Sequence, residues 1–177
     1  MSTATSMSAR STKEGSEMGE LDEFADALAR ARDLRRRQLG TTAPKCGTCG
    51  EGDPLALSGV SPTLRCYECL AIEQGRRTVE AHHVAGRAND PSDTVGLPGN
   101  DHRVVSALQA RWDPKTLRNP DGSPLLQAAA AIRGWLDVLV VILDRSVGWV
   151  PAFLEWLDAA LRLKIGPAWW CDLGWEG

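Results

Sequence analysis

Thr78-Val79-Glu80-Ala81-His82-His83-Val84, the loop Gly86 to Pro91, Thr94-Val95-Gly96-Leu97 and then Pro98-Gly99-Asn100-Asp101-His102-Arg103 form the stretch whose reading decides the fold. β-Branched residues and alternation predict a strand over 78–84. Residues 94–97 predict a short returning strand. Pro98 to Asp101 predicts a turn that opens a helix running through His102, Val105 and Leu108, with Asn100 or Asp101 as N-cap. Strand, loop, strand and helix are thus written in about thirty residues.

All three histidines of the chain, His82, His83 and His102, fall in this stretch, beside Glu80, Asn89, Asp93, Asn100 and Asp101. Neighbouring residues on a strand point to opposite faces, so His82 and His83 cannot both serve one ion in regular geometry. One is available as a ligand and the other for a different task. Phosphodiester hydrolysis needs a base to activate water and a cation to neutralise developing charge. An imidazole, titrating near neutrality, suits the first role, and His102 from the helix can complete a cation site.

Upstream lie Cys46-x2-Cys49 and Cys66-x2-Cys69, separated by sixteen residues. Two such pairs can close a tetrahedron of thiolates around Zn²⁺, leaving no open position, so the expected site is structural. The segment between is rich in Gly and Pro and poor in apolar residues, and metal binding supplies the folding free energy it lacks. An odd count of five cysteines argues against a closed disulfide framework. Cys171 reads as an idle thiol.

Working outward, residues 1–19 read as a disordered tail and 20–39 as an N-terminal helix. In that helix Leu21, Phe24, Leu28 and Ala31 fall on helical spacing, with acids early and arginines late. Its Arg35-Arg36-Arg37 run reads as a solvated face or as a grip for phosphates. Residues 44–110 hold the cysteine knuckle and the histidine unit. Residues 111–124, Pro- and Gly-rich, read as a linker, and 125–177 as an apolar helical hairpin with a Trp-rich tail. The hairpin pattern sets Trp135, Leu136, Leu139, Ile142 and Leu143 against Trp149, Phe153, Leu154, Trp156, Leu157 and Leu161, as packing residues.

The net charge of −3 provides no global attraction to nucleic acid, so any DNA contact must come from a local basic surface. No basic segment followed by an apolar core opens the chain. The run from Leu125 to Leu143 carries Arg133 and Asp137 in its interior, which disfavours a membrane span. A soluble, cytoplasmic protein is the resulting expectation.

The run Glu80 to Arg87, followed by Leu97-Pro98-Gly99-Asn100-Asp101-His102-Arg103, resembles the HNH endonuclease family. That resemblance implies a ββα-metal fold with a histidine pair on the first strand and a closing ligand on the helix. It implies His83 as general base, His82 and His102 as ligands of a divalent cation such as Mg²⁺ or Mn²⁺, and Glu80 as an additional ligand or a carboxylate behind one. It suggests phosphate contacts for Arg87 and Arg103. Two departures stand out. Many family members with a zinc knuckle have cysteines at the start of the helix, where Pro98 and Asp101 stand here, and the upstream quartet takes over as staple. Counting back from Leu97 places the family's central asparagine at Asp93, with Asn89 and Asn100 as nearby substitutes, of which Asn89 is preferred.

The expected fold is therefore α+β: a small zinc-stapled ββα-metal module flanked by an N-terminal helix and a C-terminal helical hairpin. The expected function is metal-dependent cleavage of DNA. The alternative is a non-catalytic zinc-binding module for nucleic acid or protein. The apolar C-terminal helices offer a further surface for a protein partner, an oligomer or a membrane.

Overall fold

The computed structural model describes residues 17–172, with side chains from 26 to 171. The chain is α+β and divides into two compact units at Val138/Leu139. Of the expected disordered tail, residues 1–16 lie outside the described residues. Glu17 to Gly19 instead belong to helix α1, Glu17–Leu39.

In the first unit, α1 lays two of its arginines inward. Arg32 pairs with Asp53 at 2.7 Å, and Arg35 donates to the Leu57 carbonyl at 3.0 Å. Arg36 pairs with Asp33 on the same helix. Arg32 and Arg35 therefore fasten the helix to the segment between the two cysteine pairs. A 3-10 turn, Pro54–Ala56, is capped by Asp53, whose carboxylate accepts from Leu55 N. It leads to β1, Leu57–Ser58, paired antiparallel with β2, Arg65–Cys66. Leu39, Leu57 and Leu64 bury a small core around Cys46, Cys66 and Cys69. Helix α2, Tyr67–Glu73, begins at the second cysteine pair, where the C-x2-C spacing alone predicts another tight turn.

The predicted strands are present as β3, Val79–His83, and β4, Thr94–Pro98. They pair antiparallel, with His82 opposite Val95 and Glu80 opposite Leu97. Helix α3, Gly99–Gln109, follows directly. Its N-cap is Pro98, with no side-chain cap bond. The expected capping by Asn100 or Asp101 is therefore not made, and the Asn100 side chain bonds to Glu68 and Glu51 instead. Val104, Val105 and Leu108 of α3 are buried.

The expected linker contains helix α4, Pro114–Arg118, capped by Asp113 and closed by Asn119 in the left-handed region. Helix α5, Pro124–Val147, is next. Within the first unit it crosses the backbone just after His83. A Cβ on Gly134 would stand 1.9 Å from the Val84 carbonyl oxygen, so only glycine permits this approach. Ala85, Trp112 and Ala130 form the core there, with Leu117 and Ala131 packed against it.

The second unit comprises the end of α5, helix α6, Val150–Lys164, and a short α7, Trp169–Asp172. The predicted hairpin is not formed. Gly148 N donates to the Asp144 carbonyl and Phe153 N to the Trp149 carbonyl, Trp149 is in the right-handed helical region, and α5 and α6 run on as one helical stretch. The predicted burial is not made either. No residue of α6 is buried, and Leu139, Leu143, Trp149, Leu154 and Trp156 are exposed. Glu155, Asp158 and Arg162 mark one polar stripe on α6, and none of the apolar residues on its other sides is buried, because α6 continues α5 and does not fold back against it. Trp149 and Phe153 pack edge to face at 5.6 Å. By length and composition, Pro124–Lys164 is a helical stretch able to cross a membrane, with mean hydropathy 1.7 and 28% of the tested window buried.

Candidate metal centres

The cysteine quartet is built by two kinds of local structure. Cys46 to Cys49 is a tight turn: Gly50 N donates to the Cys46 carbonyl at 3.0 Å, and Cys46 N to the Glu51 carbonyl at 2.8 Å. Gly50 takes φ +81°, which lets the chain double back. Cys66 caps α2, its sulfur accepting from Cys69 N at 3.4 Å. The four sulfurs all lie within 4.8 Å of one another, and Cys49 Sγ stands 3.6 Å from Cys66 Sγ. A tetrahedron of sulfurs at ~2.3 Å from zinc has edges of about 3.8 Å.

The thiols of the quartet differ in how readily they ionise. Burial pushes the Cys46 thiol up, yet backbone N–H groups of Cys49, Cys66 and Thr48 more than offset it and bring it to about 6. At Cys49 the Glu51 N–H lowers the thiol, but burial and the neighbouring thiols Cys66 and Cys46 carry it upward overall. Burial, then the neighbouring cysteines, push Cys69 far up. One thiolate forms readily at Cys46 while Cys49 and Cys69 resist, and a cation among them would favour the ionised form of each. The four cysteines could hold a metal ion such as zinc.

The histidines form the second centre. Glu80 and His82, two apart on β3, share the face toward α3, and His102 meets them from that helix. The rings of His82 and His102 stand 5.2 Å apart, edge to face. Glu80 Oε2 lies 3.0 Å from His102 Nδ1. His102 Nδ1, like His82 Nε2 and His83 Nδ1, is a buried nitrogen that makes no hydrogen bond. Burial above all, then the charges of His102 and His83, lowers the His82 imidazole to about 4. His102 is also lowered, by burial first, with Glu80 opposing. Both shifts favour the neutral ring, the state in which imidazole binds metal. Among the described residues, only the cysteine quartet brings three or more ligand atoms within 4.8 Å of one another. Glu80, His82 and His102 are a looser group.

The remaining predicted residues divide. Asn89 is buried in the loop after β3, and its amide donates to the carbonyls of Ala85 and Thr116 at 3.0 Å and of Leu117 at 3.3 Å. It braces the loop against α4. Asp93 takes part through its backbone, accepting from Val84 N at 3.0 Å. Asn100 is buried and turned toward the cysteines. Arg103 lies over the Tyr67 ring at 4.3 Å and 3.6 Å from Glu80, while Arg87 is exposed.

Gln109 is a site residue that sequence reasoning misses. Its amide donates to the carbonyls of His83 at 3.0 Å and Val84 at 3.1 Å, fixing the strand end that carries His83. The available signal is its spacing: Gln109 stands seven residues after His102, two turns on along the same helix face. Comparison with protein-family models, curated proteins and solved structures returns no match for this chain.

Proposed function

We propose that this chain is a metal-dependent, HNH-like endonuclease that hydrolyses phosphodiester bonds in DNA, with a tetrathiolate zinc staple beside its histidine centre. One observation carries the reading: the rings of His82 and His102 meet across a β3–β4–α3 unit, with buried His82 Nε2 making no hydrogen bond and His102 Nδ1 beside Glu80, while His83 leaves the same strand on its other face. Two imidazoles sharing one ion at ~2.1 Å have ring centres roughly 4.5–5.2 Å apart, a spacing the pair matches.

In this reading His82 and His102 hold a divalent cation such as Mg²⁺ or Mn²⁺, with Glu80 beside His102. When bound, that cation neutralises charge building on the phosphate and leaving oxygen. His83 takes the proton from the attacking water. Its backbone is held for that task by Gln109 and, through the loop, by Asn89. Arg103 and the exposed Arg87 supply cationic contacts to flanking phosphates.

A plasmid-nicking assay with and without chelator tests this. His83→Ala should abolish cation-dependent nicking while circular dichroism and zinc content stay as in the native protein. Equal nicking by both proteins rejects the base assignment. A second reading, a non-catalytic zinc module for nucleic-acid or protein contact, draws on the closed cysteine quartet being the tightest ligand group among the described residues. Zinc retention without nicking in the native protein selects it.

A further inference from the structure

Asn100 lies at the start of α3, two residues before His102, and is 6% exposed. It is bonded to the surroundings of both cysteine pairs. Its backbone N donates to Glu68 Oε1 at 3.2 Å, and its side-chain oxygen accepts from Glu68 N at 3.2 Å. Glu68 lies between Cys66 and Cys69. The Asn100 side-chain amide donates to Glu51 Oε2 at 3.3 Å. Glu51 in turn holds the first pair: its carbonyl accepts from Cys46 N, and its other carboxylate oxygen accepts from Asp53 N at 2.8 Å. Next to Asn100, a Cβ on Gly99 would lie 3.2 Å from the Thr78 carbonyl and 3.6 Å from Glu68 Cγ, so the helix start is seated closely between β3 and α2.

Two residues along a helix turn the side-chain direction by about 200°. Asn100 therefore faces the cysteine quartet while His102 faces His82. We propose that Asn100 is a positioning residue that couples the two centres: the metal-closed cysteine quartet sets the start of α3, and so the meeting of His102 with His82. The coupling rests on the reading of the cysteine quartet as a cation site, with the histidine cation of the proposed function entering only through the Ni²⁺ readout, and it assigns Asn100 a purpose beyond capping or bracing the metal loop. Loss of the ion from the quartet frees Glu51 and Glu68, and His102 moves although no histidine has been touched.

A polarity swap tests it in the zinc-loaded full chain. Asn100→Asp sets a carboxylate against Glu51 and removes the amide donor. Adding Glu51→Gln restores the bond in reverse, with the amide at position 51 donating to position 100 and its oxygen still able to accept from Asp53 N. Asn100→Asp should keep one zinc per chain, lose the inter-ring nuclear Overhauser contact between His82 and His102, and weaken Ni²⁺ binding at the histidines about 10–100-fold, the range for groups that orient metal ligands. The double variant should recover both. The coupling is overturned if the inter-ring contact survives in Asn100→Asp, if that variant loses its zinc, or if the double variant recovers nothing. Native protein that binds no Ni²⁺ at the histidines, yet loses and regains the ring contact across the series, retains the coupling and removes the endonuclease reading alone.

Discussion

Trp112 donates its indole N–H to Asp137 Oδ2 at 2.8 Å, and both side chains are buried. Burial raises the Asp137 carboxyl to about 6, with the Trp112 bond and the Arg133 charge pulling the other way. The folded chain thus holds a proton that the unfolded chain, with a carboxyl near 3.9, has released. Stability from this group is full below about pH 4 and falls as pH rises toward 6. The loss is on the order of 3 kcal/mol, at about 1.4 kcal/mol per unit. Asp137→Asn keeps an acceptor for Trp112 and removes the ionisation. Urea unfolding at pH 4, 5, 6 and 7 should show a native-minus-variant difference that grows across this interval in the variant's favour. A difference independent of pH would refute the assignment.

Gly134 admits α5 to the Val84 backbone, and no flexible side chain is there to give way. Gly134→Ala should lower stability by roughly 1–3 kcal/mol or more, the cost of overpacking a close contact. The helix gains propensity from alanine, so the sign of the effect separates the two influences. Thermal melting reads it, and an unchanged or raised Tm contradicts the contact.

Asn89 satisfies three carbonyls around the loop after β3. Asn89→Ala leaves those acceptors without their shared donor, a loss of about 1–3 kcal/mol. Hydrogen exchange should rise in residues 85–90 and 114–118 before it rises in α1. Uniform acceleration across the chain would mean the brace is not local.

The quartet closes a segment whose own core is small. Purified protein should carry one zinc per chain by elemental analysis. Cys69→Ser should lose it and unfold residues 44–75 at 25 °C, whereas Cys171→Ser, outside the quartet, should change neither. Full zinc content in Cys69→Ser would contradict four-thiolate ligation.

The histidine unit and the cysteine pairing are legible in the sequence because both are local: period-two alternation around His82 and two C-x2-C spacings are written in short windows. The strands at 79–83 and 94–98 fall where alternation puts them. Less is legible where partners come from afar. Helix α2 is only seven residues long, and its cap is a cysteine sulfur, which no propensity reports. The bonds from Asn100 reach 32 and 49 positions back along the chain. The apolar pattern of 125–165 suggests burial that the structure does not show, because periodicity tells which residues are apolar and not whether anything covers them.

The order of the two centres along the chain has a consequence for assembly. Cys69 emerges from the ribosome ahead of β3 and α3, so the thiol cluster can capture an ion while the histidine segment is still enclosed in the exit tunnel. Glu51 and Glu68 are then waiting as a template when Asn100 emerges. Synthesis in zinc-starved cells should accordingly yield chains whose earliest defect is a late one, an α3 that arrives to find no dock.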